Sequence, residues 1–111
     1  MTVCTFRTSK VSIPRGDYGY NLVFHCKDNL GQIVDLTGYT VHFRVWQYGE
    51  PTNMVLDGVG GILDALAGEA YYLLQSGDFD IVGSYQGEVE CRKLGEVGSY
   101  QSLIVEVTDS P

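Results

Sequence analysis

The sequence predicts an all-β protein, folded as an antiparallel β-sandwich. Apolar and polar residues alternate with period two in at least four segments, the signature of strands with one buried face. Turn residues separate those segments at short intervals. The 111 residues include 14 glycines, and eight tyrosines add a residue type that favours strands. Seven or so short strands with regular turns and no long helix pack naturally as two sheets, with a small barrel as the other solution. The length suits one core, so residues 1–111 are expected to form a single domain.

Each element follows from the residues in order. "KVSIP" (10–14) reads as a first strand closed by Pro14. Arg15, Gly16 and Asp17 follow as "RGD", read as turn chemistry where the chain leaves that strand. "YGYNLVFHCKD" (18–28) sets Tyr20, Leu22, Phe24 and Cys26 inward against Asn21, Val23, His25 and Lys27. "DNLGQ" (28–32) is a turn. "TVHFRVW" (40–46) points Val41, Phe43 and Val45 one way and Thr40, His42, Arg44 and Trp46 the other. "YGEPTN" breaks the strand, "MVLD" resumes it, and "GVGG" reads as a loop. In "ILDALAGEAYYLLQS" (62–76), a partial helical spacing is interrupted by Gly68, and residues 71–74 favour strand. Two short strands around a turn at Ala67 and Gly68 are expected. "SGDFDIVG" is a loop with room for one helical turn. "SYQGEVECRK" buries Tyr85, Val89 and Cys91, and "SYQSLIVEV" buries Leu103, Val105 and Val107. Gly-Ser-Tyr-Gln opens each of these last two strands, with "KLGEVG" between them as a hairpin loop. Two copies are too few for a solenoid.

Composition narrows function by exclusion. The net charge is −7, and the seven Lys and Arg residues are scattered, so a phosphate-neutralising patch is not expected and nucleic acid is a poor partner. Anionic membrane is a poor partner for the same reason, and the longest apolar runs are a few residues. No apolar h-region opens the chain, so a secretory signal is not expected. Cys4, Cys26 and Cys91 form no CxxC or metal-finger spacing, and all three thiols are expected to be free. Cys26, Trp46 and Cys91 echo the Cys…Trp…Cys of immunoglobulin domains, but Val89 stands where their tyrosine would, and Trp46 has the wrong parity for a core residue. His25 and His42 lie on the outward parity of neighbouring strands and would approach if those strands paired. They lack a third ligand at useful spacing. "GVGGIL" matches no phosphate loop, and "GSYQG" is not a nucleophile elbow. No catalytic residue, metal or cofactor is therefore expected.

A larger pattern joins these pieces. "GDYGYNLVFHCKDNLGQIVDLTGYTVHFRV" (16–45) runs a strand into "DNLGQ" and then "DLTGYTVHF", followed by "ILDALAGEAYYLL" (62–74) and "GDFDIVGSYQGEVE" (77–90). This resembles the immunoglobulin-like N-terminal domain of phage baseplate upper proteins. It is also similar to small tail and baseplate proteins of phages infecting Gram-positive bacteria. Gly68 with Tyr72, and Gly83 with Tyr85 and Glu88, fit that family's glycine–tyrosine places. The resemblance implies an immunoglobulin-like sandwich without catalysis. It implies a virion protein, made in the host cytoplasm, that contacts other tail or baseplate proteins or assembles as a homo-oligomer. The alternative is a host-receptor or carbohydrate-binding sandwich using aromatics such as Trp46, Tyr48 and Tyr100.

One outer row decides where a contact surface would lie. In such a sandwich, "TVHFRVW" and "QGEVECR" are neighbours, which places His42 and Arg44 beside Glu88 and Glu90. Opposite charges across strands account for those two outer residues. Trp46 is not explained this way: either the "YGEPTN" loop folds back over it, or it anchors a contact. Ile104, outward between Ser102 and Glu106, would extend the same apolar patch. The candidate interface is therefore Trp46, Arg44, His42 and Ile104.

Overall fold

The computed structural model describes the backbone of residues 2–5, 10–28, 30–93 and 100–109, with side chains from residue 10 onward except 51 and 100–102. Nine strands follow one another: β1 (Thr2–Thr5), β2 (Lys10–Pro14), β3 (Asn21–Asp28), β4 (Thr40–Gln47), β5 (Glu50–Val59), β6 (Gly61–Asp64), β7 (Glu69–Leu73), β8 (Gly83–Arg92) and β9 (Tyr100–Thr108). No helix occurs among the described residues. The strands form two sheets, β1-β3-β7-β6 and β2-β9-β8-β4-β5. Two separate sheets decide for the sandwich over the barrel. Every pairing is antiparallel except β2 with β9, which is parallel. The order is compatible with an immunoglobulin-like sandwich: β1, β3, β7 and β6 in the places of A, B, E and D, and β4, β8 and β9 in those of C, F and G. β5 takes the place of C′.

Period-two alternation builds the core as expected. Leu22, Phe24 and Cys26 from β3 meet Val41, Phe43 and Val45 from β4, Tyr85, Val89 and Cys91 from β8, and Leu103, Val105 and Val107 from β9. Phe43 is the centre, with ring centroids 5.5 Å from Phe24 and 5.3 Å from Tyr72. Two core residues come from turns, where alternation gives no signal. Leu36 is fully buried because Asp35 accepts bonds from the Thr37 amide and hydroxyl, while Leu36 itself bonds to Ala65 through its amide. Phe79 enters from the turn before β8 and packs edge-on to Tyr85.

The differences from expectation have local causes. β1 precedes the expected first strand. Tyr20 lies outside β3 and is exposed, with its hydroxyl donating to Asp17. "YGEPTN" is a tight reversal at Tyr48 and Gly49, after which the ladder shifts twice: Glu50 faces Gln47 but Met54 faces Trp46, which skips residues 51–53, and Leu56 faces Val45, which skips Val55. "GVGG" is not a free loop. Gly58, next to last in β5, lies against the Tyr72 ring, and Gly60 carries the chain from one sheet to the other against the Tyr71 carbonyl. A Cβ at either would overlap those atoms. Gly68, at φ +69°, closes the β6–β7 turn where the two strands were expected. "SGDFDIVG" forms turns without a helix. The "KLGEVG" hairpin loop falls mostly outside the described residues.

Two features bear on the immunoglobulin comparison. The Tyr85 hydroxyl donates to the Ile81 carbonyl at 2.7 Å, the bond of a tyrosine corner at the start of an F-type strand. It sits six residues before Cys91 instead of two. Cys26 and Cys91 bring their sulfurs to 3.8 Å across the core, the B–F position, in hydrogen-bond contact but with no disulfide between them. Cys26 is in a disulfide, whereas Cys91 keeps its thiol, so the expectation of three free thiols does not hold. In the β1–β3 register, Cys4 stands opposite Cys26.

Candidate protein interface on the five-stranded sheet

β4 and β8 pair antiparallel with His42 opposite Glu90, Arg44 opposite Glu88 and Trp46 opposite Gln86. That is the adjacency expected from the alternation. Three rows then cross the outer face of the five-stranded sheet. The first aligns Val59, His42, Glu90 and Tyr100, and the second Asp57, Arg44, Glu88 and Ser102. The third aligns Met54, Trp46, Gln86, Ile104 and Lys10.

The second row is ionic and tightly organised. Arg44 Nη1 lies 2.7 Å from Glu90 Oε2 and 3.7 Å from Glu88 Oε1, and its Nε lies 3.5 Å from Asp57 Oδ1. Glu90 is only 1% exposed, and its other oxygen pairs with the Arg92 guanidinium. A buried carboxylate is costly unless paired, so both guanidinia have a structural task first. Arg44 therefore serves three carboxylates and has few donors left for a partner. The sequence places Arg44 beside Glu88, but the shortest contact runs diagonally to Glu90.

The third row is the apolar one. The Trp46 indole Nε1 donates to Gln86 Oε1 at 3.3 Å, and the same oxygen accepts the Gly49 amide at 3.2 Å. Trp46 is half-buried. The reversal at residues 48–49 leads directly into β5, and its Gly49 amide reaches the same Gln86 oxygen that Trp46 bonds. Met54, directly opposite Trp46, is 46% exposed. Ile104 is half-buried one strand beyond Gln86, roughly 10 Å from Trp46 at the ordinary strand spacing. Gln86 therefore divides the apolar row. Met54 was not legible as its member, because the register shift at residues 51–53 has no sequence signature.

The remaining candidates separate. His25 lies on the other sheet, 4.0 Å from Glu69, so the two histidines occupy opposite outer faces and do not approach. Among the described residues no group of three or more His, Cys, Asp or Glu is arranged to hold a metal. Arg15 pairs with Asp109 at 3.2 Å, and Gly16 takes φ +83°, so "RGD" is turn chemistry. Three exposed apolar residues were unread in the sequence. Leu30 and Ile33 follow β3, Leu66 lies in the β6–β7 turn, and all three are well exposed.

Comparison with family models matches residues 10–111 to the BppU N-terminal domain. The chain belongs to the BppU N-terminal domain family. It is thus a structural component of a phage baseplate and is associated with the virion. The match to the BppU N-terminal domain begins at Lys10, so every residue of the three rows lies within it. A comparison with curated proteins found no match.

Proposed function

We propose that this BppU N-terminal domain works by protein–protein contact through the outer face of its five-stranded sheet, without catalysis. Trp46 is the anchor. Met54 and Ile104 continue its row, and Arg44 and His42 stand in the two rows beyond it. The partners are other tail or baseplate proteins or a second copy of the chain, and neither nucleic acid nor membrane is contacted. The protein is made in the host cytoplasm and carried in the particle. The observation that supports this reading is the half-buried Trp46 lying in a row with exposed Met54, next to a fixed ionic network. Tryptophan is enriched at interface centres, where removing it costs about 2 kcal/mol or more. Sedimentation of wild type and Trp46→Ala, alone and with co-expressed baseplate proteins, tests it. Association is expected to weaken while the melting temperature moves by a few degrees. A variant that melts far lower with association unchanged would place Trp46 in the core and end the proposal. Glycan binding by the isolated domain, lost in the same variant, would favour the carbohydrate-binding alternative.

A further inference from the structure

The edge of the five-stranded sheet, as distinct from its face, carries a second inference. β5 pairs with β4 alone. In variable-type sandwiches a C″ strand continues the sheet beyond C′. Here the chain instead leaves at Gly60, whose amide bonds to Val41, and crosses into β6. Among the described residues nothing pairs with the outer side of β5, so that side of its backbone has no strand to bond. Such an edge is a template for another strand.

The surroundings fit an incoming strand. An open groove of about 400 Å³ lies between Val59 and residues 71–73. A second, of about 350 Å³, lies between Val55 and the turn bearing Asp78, Asp80 and Ile81. Val59 is 72% exposed. Neither groove is lined by a Lys or Arg, and two aspartates line the second. The chain as a whole carries −7. A second copy would bring like charge to this edge, whereas a cationic strand would be attracted to it.

We propose that β5 accepts an extended, cationic strand of another polypeptide at the position a C″ strand would take. This does not depend on Trp46, because strand addition uses the backbone edge and not the face. The probe is a synthetic peptide alternating Lys with Val and Thr, compared with the same peptide carrying Glu for Lys. Fluorescence anisotropy is expected to show saturable binding of the Lys peptide only. Amide exchange is expected to slow in residues 54–59. Val59→Lys is expected to weaken binding about tenfold or more without changing the melting temperature, because an edge lysine opposes strand addition. Trp46→Ala is expected to leave peptide binding unchanged. The proposal is overturned by no saturable binding at millimolar peptide, by equal binding of both peptides, by protection elsewhere in the chain, or by β5 pairing with a second copy.

Discussion

Cys91 shows how one side chain sets a measurable property. Burial pushes its thiol up to about 11, from an ordinary value of 9.0. The folded state thus holds the proton more tightly than the unfolded chain does. The resulting stability is complete below about pH 9 and is lost as the pH rises toward 11. Burial raises Tyr72 and Tyr85 as well, which carries the loss further into alkali. Melting temperatures should be flat up to about pH 9 and fall beyond it, and Cys91→Ala should decline less steeply between those limits. Thiol titration of the denatured, unreduced protein should find fewer than three reactive thiols, since Cys26 is already bonded while Cys91 is free. Three would contradict the structure. Tyr85→Phe should cost about 1 kcal/mol, the net worth of one hydrogen bond, because the Ile81 backbone stays close to water. Arg44 is a poor probe of the interface by comparison. Arg44→Met would leave Glu90 with Arg92 alone and destabilise the fold by about 2–3 kcal/mol, whatever happens to association.

Strands differ in how openly the sequence declares them. β3, β4, β8 and β9 alternate cleanly, and the β4–β8 neighbour relation follows from that alternation plus the sandwich topology. The charged pair of rows at His42 and Arg44 was legible for that reason. β5 was legible only in part, because its register depends on residues 51–53 and Val55, which drop out of the ladder, and on glycines selected by rings from the other sheet. Nothing local to "GVGG" announces that Tyr71 and Tyr72 lie above it. The same closeness makes the element brittle. Gly60→Val should destabilise by several kcal/mol or prevent folding, as overpacking against a backbone carbonyl cannot be relieved by a rotamer change. Thermal melts of Gly60→Val beside Gly31→Ala would separate this steric effect from a φ effect. Gly31 takes φ +80° in open space, so its substitution carries only backbone strain. Leu36 and Phe79 escaped the sequence reading through a different cause: each plugs the core from a turn, where no period exists to betray it.

At the scale of the molecule, one core joins both sheets, with Phe43 packed between Phe24 and Tyr72 of the opposite sheet. Far-ultraviolet circular dichroism should show strand without helix. Fluorescence of the lone Trp46, on one sheet's outer face, should melt together with the dichroism signal. Two separated transitions would mean that the sheets unfold apart. The parallel pairing of β2 with β9 gives the assembly a mechanical direction. Lys10 faces Ile104 and Pro14 faces Thr108, so both strands run the same way. A pull drawing the chain before Lys10 and the chain after Thr108 in opposite directions slides one strand along the other. It strains all the rungs between them at once, whereas a hairpin pulled from its open end gives way one rung at a time. β9 is also held on its far side by β8 along its length. A load through the two strands is resisted in shear, the strong direction of a ladder, and the weak direction lies across it.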